Sequence, residues 1–310
     1  MKNHHSHKIV KLLFAFIILI HAGNVCAQEY LPLWPAEKMP NSKGLKLEQI
    51  EERERVTQVQ MPGMYLFFTS KEENAGTAVL IFPPGGYQKL TYNIAGFQLA
   101  KWFNTIGINA FVVMYRLPTS PDLTERQWGP LQDAQRAMKL VRLNAVKWGI
   151  NPDRIGVMGC SAGGHLAASM CTITNDQASI GDSLDTISVK PDFQILISAA
   201  LSFKEFGHKG SRNALLGENP SEALKDQFSN ELHVENNCAP AFIVHASDDP
   251  VVNPMNSILY YQALRKNNVE ACLHIFPHGK HSIALRSNPG STNLWTNLCE
   301  AWLKEMNFLK

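Results

Sequence analysis

Ser161 stands in the run Gly159-Cys160-Ser161-Ala162-Gly163, directly after the apolar stretch Ile155–Met158 and before the small residues Gly164-His165. A serine between two glycines at a strand-to-helix junction is how a nucleophilic hydroxyl is presented at a sharp turn. The glycines leave room where flanking side chains would clash, and the helix that follows turns its free N–H groups and positive dipole end toward the reacting centre. The plain alternative is a tightly packed strand–helix turn that does no chemistry.

A serine hydroxyl is a poor nucleophile at neutral pH and needs a base, oriented in turn by an acid. Where a strand precedes the serine and a helix follows it, the chain order is serine, acid, histidine. Downstream lie His245-Ala246-Ser247-Asp248-Asp249 and Phe276-Pro277-His278-Gly279-Lys280-His281, each at the end of an apolar run. His281 is read as the base and Asp249 as the acid. His278 and Asp248 are their rivals, and spacing does not separate the pairs. His245 and His274 read as packed strand histidines. A developing oxyanion needs donors, which the backbone N–H groups of Ala162 and of Gly85 and Gly86 could supply; one such donor is worth about 2.7–4 kcal/mol. Tyr87, Tyr115, Trp128 and Trp34 are aromatic surfaces on which a substrate could rest, or simply packing residues.

These residues need elements to hold them. Strands are predicted at 56–60, 64–69, 77–82, 108–115, 154–158, 193–198, 241–245 and 272–276, several of them continuous apolar runs of the kind buried on both faces. Helices are predicted at 95–105, 131–147, 161–170, 255–267 and 294–306. In the second helix Leu131, Ala134, Met138, Val141 and Ala145 mark a core face, with Arg136, Lys139 and Arg142 expected to point mostly outward. Alternating strands and helices predict an α/β fold, a mostly parallel sheet of about eight strands covered on both faces. Sites in such sheets form beyond the carboxyl ends of the strands. Segment 202–237 is polar and too long for a plain connection, so it reads as a small lid-like helical insertion or a solvated loop.

The chain has 310 residues, 29 of them basic and 27 acidic. Lys2, Lys8 and Lys11 precede the apolar run Leu12–Ile20, and Val25-Cys26-Ala27 resembles a cleavage site. Residues 1–27 thus read as a secretory signal peptide and 28–310 as a single catalytic domain, secreted or periplasmic, with no stable membrane insertion once the leader is cut. The leader takes three of the basic residues and none of the acidic ones, so the remainder is near neutral and no basic patch points to nucleic acid. Cys160, Cys171, Cys238, Cys272 and Cys299 show no metal or redox spacing; Cys160, Cys171 and Cys272 lie in apolar contexts and read as buried free thiols, with a bond such as Cys238 to Cys272 left open.

Four segments together resemble the α/β-hydrolase superfamily, and more narrowly its secreted acetyl-xylan or carbohydrate acetyl esterases. The marks are Pro83-Pro84-Gly85-Gly86-Tyr87, Gly159-Cys160-Ser161-Ala162-Gly163-Gly164-His165, the stretch from His245 to Asn253, and His278 to Ser282. Tyr115-Arg116-Leu117-Pro118 and Leu131-Gln132-Asp133-Ala134-Gln135-Arg136-Ala137 add to them. The resemblance implies an α/β-hydrolase fold, Ser161, Asp249 and His281 as the triad, and hydrolysis of short acyl esters, chiefly acetyl groups on a plant polysaccharide or oligosaccharide. It implies neither metal nor organic cofactor. The chain departs from the family pattern where Pro84 replaces a glycine of the oxyanion loop and Ser282 follows the histidine. The same machinery would serve a short-chain lipase or carboxylesterase, a feruloyl esterase or a peptidase. A relative that binds carbohydrate without catalysis is the alternative outside enzymes, disfavoured by the complete Ser, Asp and His set.

Overall fold

The computed structural model describes residues 28–309 apart from Ala36 and Ser282. The expected leader over 1–27 and the Ser282 substitution therefore lie outside the described residues. In chain order the elements are β1 (Tyr30–Pro32), β2 (Ile50–Glu52), β3 (Arg55–Gln58), β4 (Gly63–Phe67), β5 (Ala78–Phe82), α1 (Gln98–Thr105), β6 (Asn109–Met114), α2 (Gly129–Asn144), β7 (Ile155–Cys160) and α3 (Ser161–Thr172). They continue with β8 (Gln194–Ile197), α4 (Lys209–Leu216), α5 (Glu222–Gln227), β9 (Ala241–Ala246), α6 (Met255–Lys266), β10 (Ala271–Phe276) and α7 (Trp295–Glu305).

Eight of these strands form one sheet in the order β1-β4-β6-β5-β7-β8-β9-β10. The pairs from β6 to β10 are parallel, and β4 and β1 add an antiparallel edge. The pleat divides each central strand between two apolar layers. In β5, Leu80 and Phe82 pack with Leu166 and Tyr260 of α3 and α6 on one face. Val79 and Ile81 pack with Phe103 and Trp295 of α1 and α7 on the other. Burial on both faces explains why β5 reads as an unbroken apolar run.

The structure departs from the sequence reading in four places. The predicted strand at 56–60 becomes β3, which pairs with β2 in a separate hairpin rather than joining the sheet. β1 is too short for its pattern to register. Arg136 and Lys139 are not outward but buried, because segment 173–192 folds over that face of α2. Arg136 pairs with Asp182 at 2.7 Å, Lys139 with Asp176 at 2.6 Å and Asp185 at 3.4 Å, and Arg142 with Asp192 at 3.1 Å. The five cysteines of the described residues are free, as the thiol reading expects, and the Cys238–Cys272 bond left open is not made, the Cys238 sulfur lying 3.3 Å from the Cys171 carbonyl; but Cys160 and Cys272 are only partly buried.

Segment 202–237 folds into α4, α5 and a short 3₁₀ turn at Asn230–Leu232. It is fastened to the body by the Asn230 N–H on the Leu201 carbonyl (2.9 Å) and by Asn256 of α6, whose Oδ1 accepts the Ser202 N–H (2.9 Å) and whose Nδ2 donates to the Phe206 carbonyl (2.8 Å).

Candidate active site

Ser161 follows β7 with no intervening loop. Cys160 is extended, Ser161 turns left-handed at φ +53°, and α3 begins at once. A serine at positive φ is strained by about 1–3 kcal/mol and persists only where its surroundings leave no alternative. Here they leave none. A Cβ at Gly159 would overlap the Gly163 carbonyl, one at Gly163 the Phe82 carbonyl, and one at Gly164 the Ala199 methyl. The Ser161 carbonyl is tied down by the Ala200 N–H at 3.1 Å.

The loops after β9 and β10 bring the acid and histidine candidates to this turn. Ser161 Oγ lies 2.9 Å from His281 Nε2, and His281 Nδ1 lies 2.8 Å from Asp249 Oδ2. The other Asp249 oxygen accepts the Val251 and Val252 N–H groups at 2.8 and 2.9 Å. His245, which reads in the sequence as a packing residue, is fully buried. Its Nε2 lies 3.2 Å from Asp249 Oδ2 and 3.0 Å from the Val252 carbonyl, and its Nδ1 lies 2.8 Å from Ser257 Oγ. Burial would raise the Asp249 pKa. The hydrogen bonds from His245, His281 and the Val252 and Val251 amides outweigh it and hold the carboxyl well below the usual carboxylate range.

The rivals lie elsewhere. His278 is largely exposed, 3.5 Å from Asp248. Asp248 Oδ1 accepts the Gly279 and Lys280 N–H groups at 2.9 and 2.8 Å, so this carboxylate grips the backbone of the segment that carries His281.

The Pro84–Tyr87 turn closes the site from the β5 side. The Pro84 carbonyl accepts from Thr91 N–H at 2.9 Å and the Gly85 carbonyl from Gln88 and Lys89 at 3.1 and 3.2 Å. A trans peptide sets its N–H opposite its carbonyl. With both carbonyls engaged inside the turn, the N–H groups of Gly85 and Gly86 face away from it. Gly85 (φ +144°) has no room for a side chain, since a Cβ would overlap the Lys89 carbonyl. Both glycines line a cavity of about 530 Å³ that also exposes Ser161, His281, His208, Ile94, Val251 and Ile283. Ala162 is the second residue of α3, where helical N–H groups have no partner within the helix.

The aromatic residues singled out in the sequence do not line this cavity. Tyr87 is 1% exposed, its hydroxyl 2.8 Å from His165 Nδ1. Tyr115 is fully buried and donates to the Pro83 carbonyl at 2.7 Å. Trp128 packs on Phe228 with ring centroids 5.2 Å apart, and Trp34 donates to Asp133 at 2.7 Å. The polar tips of Tyr87, Tyr115 and Trp34 are consumed in internal hydrogen bonds and the Trp128 ring packs on Phe228, so none of the four faces the cavity. His208 was missed by sequence reasoning, because it sits in a polar insertion with no motif around it. Among the described residues no cluster of three or more His, Cys, Asp or Glu side chains could hold a metal ion.

A mostly parallel eight-stranded sheet, with a strand–serine–helix elbow and an acid and a histidine delivered by later strand ends, is the α/β-hydrolase fold. The solved acetyl ester-xyloside bifunctional hydrolase from Caldicellulosiruptor lactoaceticus superposes with a TM-score of 0.78 at 34% identity, over 93% of this chain and 100% of that one. The chain belongs to the BD-FAE family, whose model matches residues 67–264; the dienelactone hydrolase family model matches residues 224–310. It is 37% identical over 220 residues to an acetylxylan esterase of Xylanibacter ruminicola, covering 68% of this chain and 42% of that protein. It is 30% identical over 210 residues to endo-1,4-beta-xylanase B of Butyrivibrio fibrisolvens, covering 68% of this chain and 33% of that protein. The chain thus spans less than half the length of these two curated relatives.

Proposed function

We propose that this protein is a serine esterase that removes short acyl groups, foremost acetyl, from plant polysaccharide or oligosaccharide such as xylan. One observation carries the reading: a strained serine hydroxyl lies 2.9 Å from an imidazole whose other nitrogen is held at 2.8 Å by a buried carboxylate. Ser161 attacks the ester carbonyl while His281 takes its proton. The oxyanion forms against the N–H groups of Ala162, Gly85 and Gly86. His281 then protonates the departing alcohol, and water activated by the same ring hydrolyses the acyl-enzyme. Asp249 fixes the tautomer and stabilises the imidazolium.

The substrate class is supported by the names of the relatives above, an acetylxylan esterase and an acetyl ester-xyloside hydrolase. The basic start and apolar run of residues 1–27 support a secreted or periplasmic location; N-terminal sequencing of the exported protein tests it. Among the described residues no helix is long and apolar enough to cross a membrane.

The test is acetate release from acetylated xylan, with a p-nitrophenyl acetate burst measured in parallel. Both are expected in the wild type and neither in Ser161→Ala. Equal turnover by the two proteins ends the serine assignment, and activity confined to long-chain esters rejects the acetyl reading.

A further inference from the structure

His208 opens α4 and caps it with its ring. Nδ1 accepts the Ser211 N–H at 3.1 Å and lies 2.8 Å from the Ser211 hydroxyl. An imidazole whose Nδ1 accepts a backbone N–H carries its proton on Nε2 when neutral. Burial pushes the His208 pKa down, the nearby His281 adds to this, and Asp249 opposes it, so the ring stays neutral at neutral pH. The capping bond therefore leaves Nε2–H as a donor with a fixed tautomer. Among the described residues Nε2 has no hydrogen-bond partner, and the ring lines the same cavity as Ser161 and His281.

The position of the ring selects which half of an ester it meets. In acyl transfer the leaving oxygen takes its proton from the base, so the alcohol half of the substrate lies on the His281 side of the cavity. His208, Val251, His281, Ile283 and Ala284 belong to the loops after β8, β9 and β10, on one side of the β7 elbow in the strand order, and the lining residues from Pro84 to Ala95 follow β5 on the other. His208 and His281 line one cavity, so an ester seated for the base also meets the His208 ring. A helix-capping histidine also loses little freedom on binding, since its χ angles are already fixed by the cap.

We propose that His208 is a substrate-recognition residue for the alcohol half of the ester, its Nε2–H donating to a sugar oxygen beside the acylated position. The role rests on the esterase reading above and deepens it. It assigns to segment 202–237 the choice of a hydroxyl-bearing alcohol over a plain one. A site that hydrogen-bonds a substrate hydroxyl favours it over analogues that lack one, and a half-buried ring facing the cavity gives a modest preference rather than a strict one.

Two substitutions separate recognition from folding. His208→Asn retains an oxygen able to cap Ser211 but loses the ring donor. His208→Ala loses both and is expected to melt lower. Each is assayed on an acetylated xylo-oligosaccharide and on p-nitrophenyl acetate, whose leaving group carries no neighbouring hydroxyl. For both variants kcat/KM on the sugar ester is expected to fall about 10-fold, or about 1.4 kcal/mol, mostly through KM. On p-nitrophenyl acetate it is expected to stay within about twofold. An unchanged sugar-ester rate, or equal losses on both substrates, overturns the role while leaving the esterase reading intact. A wild type inactive on both esters overturns the esterase reading and this role with it.

Discussion

Tyr87 donates its phenolic hydrogen to His165 Nδ1 across 2.8 Å, and His165 Nε2–H in turn donates to the Phe228 carbonyl at 2.8 Å. The carbonyl can only accept, which fixes the direction of both bonds. One buried imidazole thereby joins the Pro84–Tyr87 turn, the helix that begins at Ser161 and the insertion that carries His208. The His165 ring also stacks on Phe203, with centroids 4.4 Å apart.

Burial lowers the His165 pKa to about 4, against the weaker opposing effect of the Phe228 carbonyl. The unfolded chain has an ordinary histidine there. Between about pH 6.5 and 4 the unfolded state binds a proton that the folded state refuses, so stability falls as pH falls through that window and this group adds nothing further below it. The contribution is at most about 3 kcal/mol. Denaturant unfolding at pH 7 and pH 4.5 is expected to show a smaller loss in His165→Gln than in wild type. Identical losses would remove His165 from the account.

Adjacent carboxylates are expected to fail differently. Asp249→Asn leaves the geometry but presents the wrong hydrogen-bonding partner to His281, and kcat is expected to drop about 10⁴-fold. Asp248→Ala frees two backbone N–H groups beside the base, and a misplacement of about 1 Å costs about 10²-fold. Asp248→Asn keeps an acceptor oxygen and is expected to recover most of that loss. Steady-state kinetics on p-nitrophenyl acetate distinguish the three.

Gly163→Ala pushes a methyl into the Phe82 carbonyl, and neither backbone can yield without moving the elbow. A loss of more than about 2 kcal/mol is expected, together with activity. Thermal melting that matches wild type would show the elbow to be looser than its packing.

Arg116 and Asp133 form a buried pair, both oxygens of the carboxylate being occupied. Asp133 Oδ1 receives Arg116 Nη2 at 2.9 Å and Trp34 Nε1 at 2.7 Å, and Oδ2 receives the Arg116 backbone N–H at 2.7 Å. Arg116 Nη1 also reaches the Pro40 carbonyl at 2.8 Å, so the pair pins the segment after β1 to the start of α2. Removing one partner leaves an uncompensated buried charge, and Asp133→Ala is expected to cost about 3–5 kcal/mol in denaturant unfolding.

Ser161 was legible because its signal is local: the glycines that make room for the turn are its sequence neighbours. The parallel strands were legible for the same reason, since burial on both faces writes an apolar run. Asp248 and Asp249 were not separable, because which of two neighbouring carboxylates meets a ring 32 residues away depends on how the two loops cross. The buried Arg136 and Lys139 were misread because helical periodicity reports a helix alone, not the acidic segment that later covers it. Tyr87 and Tyr115 were expected at a binding surface on residue type, and hydrogen bonds invisible in sequence turned them inward. His208 gave no signal at all: its meaning comes from a cap and a cavity wall that exist only once the insertion has folded.

Two neighbouring side chains at the tip of β9 act on one returning segment, Asp248 on its backbone and Asp249 on its ring. The orientational freedom that a reacting imidazole would otherwise forfeit on meeting its ester is surrendered earlier, when the polypeptide collapses. On the esterase reading proposed above, competence is therefore installed at birth instead of being induced by the guest. Mild denaturant that loosens only this corner is expected to silence turnover well before any whole-molecule transition becomes visible by circular dichroism.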